Sequence, residues 1–113
     1  MLEYWNGGIL GNEGYAILNI FTKKRLMILA AAQLQDQANF VANLEEHLRM
    51  GKKAADNGAC LLLFPEMSLT GYMRVGAAEN SVTVYDVRLD PLRELVAERN
   101  IIIIAGAPLL LED

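Results

Sequence analysis

The 113-residue chain is poor in the residues that make bridges and metal sites: one cysteine, one histidine and three prolines. A single thiol closes no internal disulfide, so a reducing cytoplasm is the expected setting. His47 and Cys60 have no partners at ligand spacing, so no metal site and no cofactor are expected. Positive charge is also scarce. Ten Lys and Arg against fourteen Asp and Glu leave a net charge of −4. Phosphate binding needs a basic face, which argues against nucleic acid and against an anionic membrane surface as partners. No apolar run approaches the ~20 residues that cross a bilayer. Glu3 and the early glycines stand where a secretion signal would carry lysine and a leucine-rich run. What is abundant is apolar: 53% of residues are hydrophobic and 21% charged, the balance of one globular domain with a modest core.

The stretch Ala59–Tyr72, ACLLLFPEMSLTGY, organises the rest. Cys60 to Phe64 is short and apolar throughout, as in a strand buried on both faces. Pro65 lacks an N–H and ends the ladder. Glu66 follows at once, where α/β sheets gather ligands at the carboxyl ends of strands. Ser68, Thr70 and Gly71 mark a loop that curls back over that point. A carboxylate held by a core strand suits a general base. It equally suits a solvated turn cap.

The flanking segments supply strands and helices. Met27–Leu34 reads as another central strand. Asp36 offers an N-cap to a helix whose apolar stripe runs through Val41, Leu44, Leu48, Gly51 and Ala55. Glu45 and Arg49 form an i,i+4 pair on its outer face, and Asn57-Gly58 stops it. His47, beside the stripe among charged residues, reads as plain surface. Asp90-Pro91 opens a second helix with the acid as N-cap, Leu92, Leu95 and Val96 as the apolar face and Asn100 as the stop. Ile101–Ile104 is a third buried strand. Ser81–Val87 is an extended segment or irregular edge strand. Strand, helix, strand, helix, strand predicts two right-handed crossovers on a largely parallel sheet. Residues 1–25, with four of the nine glycines and Trp5, show no period and read as an atypical extension. Within them Tyr15–Phe21 is a short strand or a helical turn, and no phosphate-binding glycine motif is complete.

Phe64, Pro65, Glu66, Leu69, Thr70, Gly71 and Tyr72, in the spacing F-P-E-x-x-L-T-G-Y, resemble the first catalytic motif of the nitrilase, or carbon–nitrogen hydrolase, superfamily. The resemblance runs from about Leu26 to the end and implies the N-terminal part of an α-β-β-α sandwich, present as a β-α-β-α-β stub. It implies hydrolysis of an amide, carbamoyl or nitrile carbon–nitrogen bond through a glutamate, a lysine and a cysteine, by way of a thioester. It also implies a small-molecule substrate and subunit pairing in the full-length protein. Glu66 matches the glutamate. Tyr72, near the acid, is a candidate to line the pocket or to anchor the loop. The lysine and cysteine come later in that family than Asp113, so the chain is expected to be a fragment with one third of the site. Cys60 does not substitute, because six extended residues place it roughly 20 Å from Glu66, at ~3.3 Å per residue. It reads as a buried, inert thiol. Lys52 and Lys53 fall on the outer helix face. A half-sheet with open edges and an apolar face would make residues 1–113 alone poorly soluble or marginally folded.

Two other readings stay open. A non-catalytic remnant could pair with an intact subunit. A small nucleotide-binding module would also alternate strands and helices, but needs a glycine-rich turn that Gln33-Leu34-Gln35-Asp36-Gln37 does not provide.

Overall fold

The computed structural model describes residues 2–9, 15–22, 26–34, 39–72 and 80–111, with side chains from Met27 onward. Three strands form the parallel part of the sheet: β3 (Leu26–Ala32), β4 (Leu61–Leu63) and β5 (Ile102–Ile104). Helix α1 (Phe40–Asp56) joins β3 to β4, and α2 (Asp90–Arg99) joins β4 to β5. The two helices pack against each other, as two crossovers of one hand require. This is the expected β-α-β-α-β unit. Two antiparallel strands, β1 (Leu2–Ile9) and β2 (Tyr15–Thr22), extend the sheet beyond β3, giving the order β1-β2-β3-β4-β5. Tyr15–Phe21 is thus strand, and Gly7 and Gly8 lie within β1.

The side-chain period of 2 sorts the sheet into two unlike faces. Leu62 pairs with Ala30 and Ile103 across the ladder, and this row turns toward the helices. Leu62 is fully buried there, in a cluster with Ala30, Met50, Ala54, Phe64 and Ile101. The other row is open: Leu63 is 46% exposed, Ile102 61% and Ile104 47%. The expectation of strands covered on both faces is therefore corrected. The apolar runs are real, but within this chain only one face has a helix layer to bury it.

Helix α1 starts at Phe40, capped by Asn39, whose Oδ1 accepts from the Ala42 N–H at 3.2 Å. Asp36, expected in that role, lies outside the described residues. The buried side carries Asn43, His47, Met50, Gly51 and Ala54. This corrects the expected stripe, in which only Gly51 was placed rightly. Val41 is 62% exposed, and Leu44, Leu48 and Ala55 are only half-buried. The helix is turned by about one residue, ~100° at 3.6 residues per turn, so that two polar residues enter the core. Gly51 lets α1 approach closely, since a Cβ there would fall 2.7 Å from Leu95 Cδ2 and 3.1 Å from Ile103 Cδ1. On the outside, Arg49 pairs with Glu46 at i,i+3, not with Glu45. Gly58, at φ +79°, supplies the left-handed stop.

Helix α2 begins with Asp90 already helical, so Asp90 is a first-turn acid bonded to Arg93 and not the N-cap. Leu92 and Leu95 are buried and Val96 half-buried, as expected, and Asn100 closes the helix at φ 51°. Before it, Val82 makes an isolated parallel bridge with Leu109, and Val87–Leu89 form a single 3₁₀ turn capped by Asp86. The Arg88 guanidinium holds the Asp86 carboxyl down at about 2 and lies 4.6 Å over the Phe40 ring.

His47 is fully buried, not surface. Burial pushes its pKa below the ordinary 6.5, with the Asn43 carbonyl and the Glu46 charge opposing. Below about pH 6.5 the unfolded chain binds a proton that the folded chain still refuses. The stabilisation from a neutral His47 is thus complete above that pH and is lost as the pH falls toward the folded value. Urea midpoints are expected to drop from pH 7.5 to 5.5, and His47→Gln is expected to flatten that slope. An unchanged slope in the variant would assign the dependence to other groups.

Candidate active site

Strand β4 is continued at both ends by backbone bonds. The Cys60 N–H donates to Ile28 O at 2.8 Å, and the Phe64 N–H donates to Ile104 O at 2.8 Å. Pro65 donates nothing, and the chain leaves the sheet there in a run of turns from Glu66 to Thr70. Ser68 N–H donates to Pro65 O at 3.2 Å, while Thr70 and Gly71 N–H both donate to Met67 O at 3.2 and 2.7 Å. Met67 sits at φ +54° and Gly71 at φ +71°. The left-handed residue at 67 is not glycine, which costs of order 1–3 kcal/mol and persists only where neighbours hold it.

The neighbours do hold it. Gly106, just past β5, lies against the turn so closely that a Cβ would fall 2.4 Å from Met67 N and 2.9 Å from Pro65 O. Its carbonyl accepts from the Leu69 N–H at 2.9 Å. Its own N–H donates to Ser68 Oγ at 3.1 Å. From α1, Asn43 Nδ2 donates to Leu69 O at 3.1 Å. His47 Nε2 lies 2.8 Å from Ser68 Oγ, and its Nδ1 lies 2.6 Å from Asn43 O. The imidazole stacks on Phe64, ring centroids 3.9 Å apart. Ser68, Leu69 and Thr70 are buried, so the turn presents its polar core inward.

Glu66 points the other way and is exposed. Its Oε2 accepts a 2.6 Å hydrogen bond from the Tyr72 hydroxyl. The two residues singled out from the motif are thus brought together across the turn, with Tyr72 itself 68% exposed. Cys60 is exposed, correcting the expectation of a buried thiol. It stands at the amino end of β4, while Glu66 follows the carboxyl end, so the two are not brought together. Lys52 and Lys53 line an outer groove of α1 with Glu45, Arg49 and Asp56, as expected. An apolar cleft of about 410 Å³ lies beside Leu69, Val82, Leu92 and Val96, but Glu66 is not among its walls. Arg93 at its rim is committed to Asp90 and to the carbonyls of Val84 and Asp86.

His47, Asn43 and Ser68 are the residues that sequence reasoning missed. The available signal was their spacing: Asn43 and His47 stand four apart on a helix, so they share one face. Among the described residues no cluster of three or more His, Cys, Asp or Glu could hold a metal ion. No helix among them is long and apolar enough to cross a membrane.

No curated protein matches the chain. The sequence profile of the carbon–nitrogen hydrolases does, over residues 28–111, which takes in most of β3, all of β4 and β5, both helices and the Glu66 turn. The chain therefore belongs to the carbon–nitrogen hydrolase family.

Proposed function

We propose that the protein serves hydrolysis of a non-peptide carbon–nitrogen bond in a small molecule, an amide, a carbamoyl compound or a nitrile, with Glu66 as the general base. The observation that carries this is the turn at the end of β4, which leaves the Glu66 carboxylate exposed and bonded to Tyr72 while Ser68 turns inward to His47 and Gly106. The base takes the proton of a cysteine thiol, because the thiolate is the nucleophile. With an amide or carbamoyl compound the thiolate adds to the carbonyl carbon, a lysine ammonium stabilises the charge that develops, and the nitrogen leaves with the proton that Glu66 took from the thiol. With a nitrile the thiolate adds to give a thioimidate, which takes up one water before ammonia leaves and the thioester remains. Glu66 then activates water against the thioester, releasing the acid and restoring the thiol. Tyr72 steadies the carboxylate through Oε2 and stands where a substrate would meet it. The reaction needs no metal or organic cofactor.

Lysine and cysteine enter this scheme from beyond the described residues, since Cys60 is at the wrong end of β4 and Lys52 and Lys53 face outward. Residues 1–25 are an extension to the hydrolase segment. The second reading is a non-catalytic piece that pairs with an intact subunit. It is favoured by the open apolar row of Leu63, Ile102 and Ile104, which a partner would cover. Cytoplasmic placement and pairing of subunits fit either reading.

Reading the coding sequence past the Asp113 codon separates the two. A continuation with a lysine and a strand-end cysteine supports the enzyme, and its absence supports the pairing piece. In the active protein, Glu66→Gln is expected to lower ammonia release about 10²–10⁴-fold with the circular dichroism spectrum unchanged. Full activity in that variant would remove Glu66 from the role of base. Gly106→Ala tests the support of the turn. The new methyl meets backbone and not a yielding side chain, so a loss of ~1–3 kcal/mol in urea stability is expected, together with a fall in turnover.

A further inference from the structure

The histidine of α1 does something that a core position does not ask for. A leucine or phenylalanine would fill the space against Phe64 without a polar atom to satisfy. Burying an imidazole is costly unless both nitrogens are bonded. Both are, and their partners leave one assignment of protons. The Gly106 N–H can only donate, so Ser68 Oγ accepts from it. The Asn43 carbonyl can only accept, so His47 Nδ1 carries the hydrogen. Nε2 is then a bare acceptor, and the Ser68 hydroxyl hydrogen points to it. The resulting relay runs from Gly106 N–H through Ser68 and His47 into the first turns of α1, all in one direction.

This relay passes through Ser68, two residues from Glu66. Pro65 lies against Gly106 on one side, and Ser68 is bonded to His47 and to the Gly106 N–H on the other, with the left-handed Met67 between them. Freed of either anchor, Met67 would relax toward an ordinary backbone angle and carry the carboxylate with it. We propose that His47 is the positioning residue for Glu66, acting through Ser68 to fix the turn from which the carboxylate projects. This rests on reading Glu66 as the base.

The test is a small set of variants in the active protein. Ser68→Ala removes the hydroxyl and leaves the His47–Phe64 stack. His47→Phe keeps a stacked ring and removes both hydrogen bonds. Each is expected to lower kcat about ten- to a hundredfold, as a misplaced catalytic group does, with KM changed less than about threefold. The double variant should be no worse than either single one, because both break the same relay. His47→Gln, which keeps a donor and an acceptor, should recover most of the loss. Nitrogen-15 spectra of the wild-type protein should show Nδ1 protonated and Nε2 bare, with Nε2 shifted in Ser68→Ala. The carboxyl carbon resonance of Glu66 should move in both Ser68→Ala and His47→Phe. If those two variants melt at lower temperature but keep kcat per folded molecule and leave the Glu66 resonance in place, the residues are structural only and the proposal falls. The opposite tautomer, with Nε2 protonated, would also overturn it. Loss of activity in Glu66→Gln alone would overturn the positioning role and leave the base standing. An unchanged rate in Glu66→Gln would overturn the base itself.

Discussion

The close approach of Gly106 to the turn after β4 is the constraint on which the candidate site depends. Two backbones meet there with no room for a Cβ between them, 2.4 Å from Met67 N in the tightest case. That contact is possible because β4 and β5 are parallel neighbours in register, Leu63 opposite Ile104, so both strands leave the sheet at one edge. Once the chains are that close, the Leu69 N–H finds the Gly106 carbonyl and the Gly106 N–H finds Ser68. The exposed Glu66 carboxylate then stands on a turn whose residues Ser68, Leu69 and Thr70 are buried in the core. General-base work asks for this, since proton transfer depends on a fixed distance to the acid.

The helices complete the arrangement by different means. Helix α2 packs Leu92 and Leu95, an ordinary apolar face. Helix α1 brings Asn43 and His47 to it. An unsatisfied polar group in that position would cost more than a hydrogen bond contributes. The arrangement therefore holds only while Leu69 O, Ser68 Oγ and the two side chains remain together. Cooperativity of this kind lends specificity to the turn's geometry. A purely apolar contact would have buried the same surface while allowing the turn several positions.

Much of this was legible in the amino-acid sequence. The alternation of apolar runs with an amphipathic stretch placed β3, β4, β5 and both helices, and Pro65 marked where β4 ends. The F-P-E-x-x-L-T-G-Y spacing singled out Glu66 and Tyr72, which the fold brings within 2.6 Å. What was not legible is the covering of each face. Leu61–Leu63 and Ile102–Ile104 are as apolar as doubly buried strands, and composition alone does not say that one side lacks a layer. Cys60 follows the same error, since as the first residue of a strand covered on both faces it reads as buried, and it is exposed. Helix caps shifted by one to a few residues, because Asn39 and Asp36 are both good caps and only the packed angle chooses between them.

The misplaced stripe of α1 has a different cause. By hydrophobicity, Val41, Leu44 and Leu48 outweigh Asn43 and His47 as the side to bury. The helix turned its polar pair inward because partners for both were waiting in the turn after β4, a fact held in residues 68, 69 and 106 and not in the helix. Local pattern and tertiary structure disagree here, and they disagree at the candidate site. Natural sequences break local rules mainly where function needs it. On that principle the buried histidine is more than a packing residue, for it is the position at which the sequence gives up an easy core to hold a turn in place.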